Sequence, residues 1–188
     1  MQPSPGRRGF TLIEILIVIS IIAIVASMVL AGVSMAKKQA HSALTKSTIQ
    51  NLATALQTYY RDTGKYPGKE IADDENAMPA LYEALFGDKP PKGGGGPSAP
   101  YMELKEDQVA VEDDSESGYR KAERDELNDP KVKKYIIDGF GYPMIYRETQ
   151  SRARKKFMHM KTYDLYSKGP DHIDQTIEGE EGDDIGNW

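Results

Sequence analysis

Two groups of residues in this chain have types and spacings that could do chemistry. The first is Gly9-Phe10-Thr11-Leu12-Ile13-Glu14, which sets a small residue, an aromatic and a carboxylate at the head of a long apolar run. A small residue before that run, rather than after it, marks a peptidase site at Gly9–Phe10. Cleavage there would remove the basic leader Met1–Gly9 and leave the hydrophobic segment on the chain. Glu14 is the one charged residue inside the run, and an intramembrane carboxylate costs about 2.5–3.5 kcal/mol on insertion scales. It either snorkels into headgroups at the interface or is kept for a partner in another subunit. The second group is the C-terminal stretch from Ser167, where Asp171–Trp188 holds seven carboxylates and no Lys or Arg. Such a stretch is either a disordered acidic tail or an oxygen-rich loop for a hard cation such as Ca²⁺, which takes six to eight oxygens. Its spacing does not match an EF-hand, and Ile185 and Trp188 supply hydrophobic anchors for the far end of a loop.

Enzymatic machinery is not visible. His41, His159 and His172 lie far apart, no nucleophile motif occurs, and the usual constellation of nucleophile, base and oxyanion donor is not met. The chain has no cysteine, so any stapling must come from packing or from a metal. The formal charge is −5, and loss of Arg7 and Arg8 leaves 22 basic against 29 acidic residues, a balance of −7. That argues against general nucleic-acid binding, which needs a basic footprint. The run Thr149–Lys156, with Arg152, Arg154, Lys155 and Lys156, reads as a solvated turn rather than a nucleic-acid platform, because only Phe157 interleaves it.

The elements that position these residues follow from periodicity. Phe10–Leu30 is apolar and β-branched, and a helix of that length crosses a hydrocarbon core of roughly 30 Å with its backbone groups paired internally. Past it, Val33, Ala36, Ala40, Ala43, Leu44, Leu52, Ala53, Leu56, Tyr59 and Tyr60 recur mostly at spacings of three and four. They predict one amphipathic continuation, ended by Gly64 and Pro67. A short helix is expected over Ala77–Gly87, with Leu81, Leu85 and Phe86 facing inward. Lys89–Pro100 is low-complexity and reads as a loop, and 103–134 reads as an exposed charged insertion with a little helix around Tyr119–Asn128. Strands are expected at Tyr135–Ile137, Tyr142–Arg147 and Thr162–Ser167. The organisation is thus a leader (1–9), a membrane segment (10–32), an amphipathic continuation (33–63) and a globular domain (64–188). That domain carries the charged insertion at 88–134 and the acidic loop at 168–188.

Gly9-Phe10-Thr11-Leu12-Ile13-Glu14, followed by about twenty apolar residues, resembles the type IV pilin-like signal. The resemblance implies a prepilin peptidase that cuts after Gly9 and methylates the new amine of Phe10. It also implies that Glu14 pairs with the Phe10 amine of a neighbouring subunit, each buried charge offsetting the other's desolvation. Further on, Asp138-Gly139-Phe140-Gly141-Tyr142-Pro143-Met144-Ile145-Tyr146, Tyr163-Asp164-Leu165-Tyr166-Ser167, Gly169-Pro170-Asp171 and Asp183-Asp184-Ile185-Gly186-Asn187-Trp188 resemble the C-terminal pattern of the major pseudopilins of type II secretion systems.

That family implies an α+β pilin fold, in which a long N-terminal transmembrane-plus-soluble helix packs on a small C-terminal antiparallel β-sheet. It implies a C-terminal loop that binds Ca²⁺ in place of a disulfide, with Asp171 and Asp184 as side-chain ligands, Asp183 as a third candidate and the Lys168 backbone carbonyl as a further one. It implies a structural subunit, not an enzyme, that polymerises into a periplasmic pseudopilus driving protein secretion. Its partners would be copies of itself, minor pseudopilins, the inner-membrane assembly platform and the prepilin peptidase, with no nucleic acid. The chain would be single-pass in the bacterial inner membrane with its C-terminal domain in the periplasm. The alternative is a surface type IV pilus subunit for adhesion, motility or DNA uptake, with Arg152–Lys156 as its contact.

Overall fold

The computed structural model describes residues 10–68, 74–87, 100–113, 118–148, 162–175 and 182–188. The leader with Gly9, the Gly-rich stretch at 88–99 and the basic run at 151–156 lie outside the described residues. The chain divides into two compact units, Met1–Gln39 and Ala40–Trp188.

Helix α1 spans Leu12–Thr63, so the β-branched run is helical, as its unbroken length requires. Thr11 caps its start (below), and at its end Gly64 takes a left-handed φ of +73° while its N–H bonds the Tyr60 carbonyl at 2.7 Å. In the first unit the large apolar side chains from Leu12 to Val29 are exposed, and α1 is long and apolar enough to cross a membrane.

The second unit is α+β. Helix α2 (Asp74–Phe86) precedes strands β1 (Val109–Glu112) and β2 (Tyr119–Lys121), and a short α3 (Arg124–Asn128) follows. Strands β3 (Lys134–Ile136), β4 (Ile145–Glu148), β5 (Tyr163–Ser167) and β6 (Ile185–Gly186) complete it. Among the described residues the strands form two antiparallel sheets, ordered β2-β1-β3 and β4-β5-β6. An Ile137–Pro143 bridge stands at the turn between β3 and β4. The core gathers Ile49, Leu52, Leu56 and Tyr59 of α1 with Met78, Leu81 and Leu85 of α2, with Ile136, Tyr146 and Leu165 of the sheets, and with Met144 just before β4. This is the α+β pilin fold that the resemblance implies.

Two local expectations need correction. The buried stripe of α1 is rotated from the purely apolar one: Thr45, Thr48, Ile49, Leu52, Ala55, Leu56 and Tyr59 are buried, while Leu44 and Tyr60 are exposed. A threonine can join a buried face because its hydroxyl bonds the carbonyl one turn back, Thr45 to His41 at 2.9 Å and Thr48 to Leu44 at 3.1 Å. The charged segment after Tyr101 is also more structured than its composition suggests. Tyr119–Lys121 is a strand, helix begins only at Arg124, and Val109, Ala110 and Val111 are buried in β1. Lys134, at the end of this charged segment, is buried, and its ammonium donates to the carbonyls of Asp129 at 2.7 Å and Val132 at 3.3 Å. On α2, Leu81 and Leu85 are buried and Phe86 is half-buried against Tyr82.

The turn after β3 closes on α1. The Gly139 N–H donates to Thr45 Oγ1 at 2.9 Å, and a Cβ at Gly139 would lie 2.2 Å from the His41 carbonyl oxygen. Only glycine permits that approach. Gly139→Ala must push the turn off the helix, and forced overpacking of this kind costs about 1–3 kcal/mol. Thermal melting of the detergent-solubilised chain should show a clear drop; an unchanged melt would mean that the contact is unimportant.

A tyrosine cluster seals the other end of this core. Tyr66 and Tyr163 meet edge to face at 4.9 Å, Tyr146 lies 5.9 Å from Tyr163, and the Tyr146 hydroxyl donates to the Pro67 carbonyl at 3.0 Å. Burial, with Tyr66 nearby as a smaller cause, pushes the Tyr163 phenol up to about 12, and burial drives Tyr146 well above its usual value. A raised phenol favours the folded state fully below the unfolded value of about 10. That stability is lost as pH rises, because the unfolded chain sheds its proton first. The fold should therefore hold to about pH 10 and give way as pH approaches 12, with Tyr163→Phe moving the alkaline midpoint upward. Far-UV circular dichroism followed with tyrosinate absorbance checks this, and an alkaline midpoint insensitive to that substitution would refute it.

Candidate functional site

At the N-terminal candidate site, Thr11 and Glu14 stand at the cap and third positions of α1. The Thr11 N–H and hydroxyl donate to Glu14 Oε2 at 2.9 and 2.8 Å, and the Glu14 N–H reaches back to Thr11 Oγ1 at 3.3 Å. This is a capping box, and it places the carboxylate at the positive end of the helix dipole. Thr-x-x-Glu before an apolar run is the sequence signature of this cap, and it gives Glu14 a role within its own helix besides the interfacial and intersubunit ones. Phe10 is exposed beside the cap, and Gly9 lies outside the described residues.

The C-terminal candidate site starts from Asp138. Its Oδ1 accepts the N–H groups of Phe140 at 2.8 Å and Tyr142 at 3.0 Å, and its Oδ2 accepts the Ser167 hydroxyl. Ser167 Oγ in turn accepts the Gly169 N–H at 3.0 Å. Gly169 opens a 3-10 turn, Gly169–Asp171, and His172 follows in the left-handed conformation with its ring against Tyr142. Lys168, immediately before the turn, is half-buried.

The far end of the loop is held by strand pairing. Residues Ile185 and Gly186 pair with Ser167 and Tyr166, and Asn187 extends the ladder with its side chain. Asn187 Oδ1 accepts the Leu165 N–H at 3.0 Å, its Nδ2 donates to the Tyr163 carbonyl at 3.2 Å, and its N–H bonds the Leu165 carbonyl at 3.1 Å. Ile185 packs against the core, whereas Trp188 lies 5.6 Å from Tyr166 and remains 48 % exposed, a weaker anchor than its size promised.

Between these ends, three acids marked by the sequence are placed as follows. Asp171 is exposed, its Oδ1 accepting the Ile173 N–H at 2.9 Å. Asp183 lies against the loop's start: a Cβ on Gly169 would fall 2.4 Å from the Asp183 carbonyl oxygen and 2.7 Å from its Oδ1. Oδ1 of Asp183 and Oδ1 of Asp184 are both shielded from solvent. Asp174 serves a different purpose. Its Oδ2 accepts the buried Arg147 guanidinium at 3.0 Å and the Tyr166 hydroxyl at 2.9 Å, with that guanidinium 4.9 Å from the Tyr166 ring centre. Arg147 was invisible as a partner because it lies 27 residues away on β4.

Among the described residues no group of three or more His, Cys, Asp or Glu side chains converges to hold a metal ion. The candidate donors Asp171, Asp183, Asp184 and the Lys168 carbonyl are all oxygens, with shielded carboxylate atoms and a glycine cradle between Gly169 and Asp183, while the adjoining His172 carries a shielded Nδ1. The oxygens would suit a hard cation whose shell is completed by backbone carbonyls.

Residues 4–30 match the family model described as the prokaryotic N-terminal methylation motif. Over 183 residues the chain is 28 % identical to the type II secretion system core protein G of Pseudomonas aeruginosa, spanning 97 % of this chain and 95 % of that one. It is 39 % identical over 69 residues to the protein of the same name from Pectobacterium carotovorum, spanning 37 % of this chain and 44 % of that one. It is 39 % identical over 85 residues to that of Escherichia coli, spanning 43 % of this chain and 59 % of that one. No solved structure matches. The methylation motif at its head, the α+β fold of its second unit and a similarity that runs from end to end make this chain similar to the type IV pilin-like proteins, and among them to the major pseudopilin of type II secretion systems.

Proposed function

We propose that this chain is the structural subunit of a periplasmic pseudopilus, the filament of a type II secretion system, and that it is not an enzyme. The observation that carries this reading is the similarity to a core protein G over 97 % of the chain. It covers the globular unit as well as the methylation motif, which surface pilins and pseudopilins share. In this reading a prepilin peptidase cuts after Gly9 and methylates the Phe10 amine. The single-pass helix holds the subunit in the inner membrane with residues 40–188 in the periplasm. The assembly platform and minor pseudopilins then take it into the filament, where Glu14 meets the Phe10 amine of a neighbour.

Processing and assembly are tested together. Intact-mass spectrometry of the membrane-extracted chain should find it beginning at Phe10 with one added methyl group; a chain starting at Met1 or beyond Leu30 would refute this. Glu14→Ala leaves the neighbour's buried amine uncompensated, a loss of about 3–5 kcal/mol. That variant should insert normally yet give few sheared filaments, and a wild-type filament yield would count against the role given to Glu14.

In the same reading the acidic loop holds Ca²⁺ through Asp171 and Asp184, with Asp183 and the Lys168 carbonyl as further donors. The cation would neutralise crowded carboxylates and fasten the loop's two ends. A ligand that binds only the native state, at a hundredfold excess over Kd, stabilises by about 2.7 kcal/mol, or roughly 5–10 °C for a domain of this size. The melting temperature should fall in EGTA and recover with Ca²⁺ more than with Mg²⁺, which demands a smaller octahedral shell. Asp171→Ala or Asp184→Ala should remove the difference. Identical melts in EGTA and in millimolar calcium would sink the calcium reading and leave the filament reading standing.

A further inference from the structure

The geometry points to Gln175 as the residue that sets the positions of Asp171, Asp183 and Asp184 in the acidic loop. Its value to the protein rests on that loop being a cation site; its role in holding the loop does not. Gln175 engages all three acids at once. Its Nε2 donates to Asp171 Oδ2 at 2.8 Å, its Oε1 accepts the Asp183 N–H at 3.0 Å, and its own backbone N–H donates to Asp184 Oδ2 at 3.1 Å. One residue thereby joins the first part of the loop to its return.

Sterics give an observation independent of those bonds. A Cβ at Gly182 would lie 1.8 Å from Gln175 Oε1 and 2.6 Å from its Cβ. The returning chain is thus shaped around this side chain, and only glycine leaves room for it. The backbone of Gln175 is itself fixed, because its neighbour Asp174 is tied to buried Arg147 and to Tyr166. Arg147 also supplies a full positive charge to Asp174, which makes Asp174 an internal ion-pair partner rather than a candidate ligand.

The amide is chemically suited to this task. It is neutral, so it adds no charge to a crowded acidic loop. It offers a donor to one carboxylate and an acceptor to the opposing backbone, which no acid, lysine or arginine can do together. Asparagine would be one methylene too short to reach both. Partners that orient ligands in this way without touching the ion typically change metal affinity 10–100-fold when removed.

The test uses the full chain in detergent, titrated with calcium alone by isothermal calorimetry, with amide hydrogen exchange recorded in EGTA. In the unmutated chain the Asp183 amide should be protected without any divalent ion. Gln175→Ala and Gly182→Ala should each lose that protection and raise the calcium Kd about 10–100-fold. Gln175→Glu keeps the acceptor and the length, and should keep the Asp183 amide protected. Unchanged exchange at Asp183 in both Gln175→Ala and Gly182→Ala would overturn the inference, as would unchanged calcium affinity in both. If the unmutated chain binds no calcium, the cation reading fails by itself, and the exchange data alone decide whether Gln175 holds the loop.

Discussion

The buried carboxylate of Asp138 is the constraint on which the rest of the globular unit depends. It accepts two backbone N–H groups of its own turn, those of Phe140 and Tyr142, and the hydroxyl of Ser167 on β5. A buried charge without such donors would cost several kcal/mol, so its burial and its three donors are one feature. The turn it shapes presents Gly139 to Thr45 of α1, and the serine it holds passes its own acceptor capacity on to Gly169. Helix, sheet and acidic loop are therefore linked by hydrogen bonds that all refer to one side chain. Asp-Gly-x-Gly in the sequence reads as a turn; its role as the junction of three elements follows only from where Thr45 and Ser167 come to lie.

Much of the fold was legible because periodicity and punctuation are local. The span of α1, its stop at Gly64 and Pro67, helix α2 and the strands around Tyr135, Tyr146 and Leu165 all follow from spacing and turn residues. The reading failed where a residue's partner is supplied from a distance or by its own backbone. Thr45 and Thr48 look polar, but their hydroxyls are satisfied by carbonyls of the preceding turn, and so they replace Leu44 on the buried face. Val109–Val111 lie among charges, yet they form β1, the central strand of its sheet, and are buried.

The acidic loop shows the same division. Composition distinguished the acids from their surroundings but not from one another. Arg147 separates Asp174 from the remaining acids by giving it a permanent counter-charge, and Gln175 and Asn187 do by amide chemistry what charge counting cannot register. Neutral side chains with one donor and one acceptor carry no weight in a net charge. In a loop this acidic they are the groups that can approach a carboxylate and a backbone amide together.

The first unit obeys different physics. Thirteen large apolar side chains from Leu12 to Val29 are exposed, and each contributes about 1.5–3 kcal/mol when removed from water. An exposed apolar surface of that extent suits lipid or another apolar partner rather than water. Lipid supplies no hydrophobic force between helices, which leaves packing and polar groups to govern association there. The polar groups are few and mostly occupied: Ser20 bonds the Leu16 carbonyl at 2.8 Å and Ser27 the Ile24 carbonyl at 2.7 Å. Glu14 differs, because both donors from Thr11 arrive at Oε2, and a carboxylate has about four lone-pair sites. The cap therefore neutralises part of the cost of carrying the acid in a lone helix and leaves acceptor capacity on Oε1 for a donor from outside. A cap that used both oxygens would saturate the carboxylate; this one fixes the start of α1 through a single oxygen.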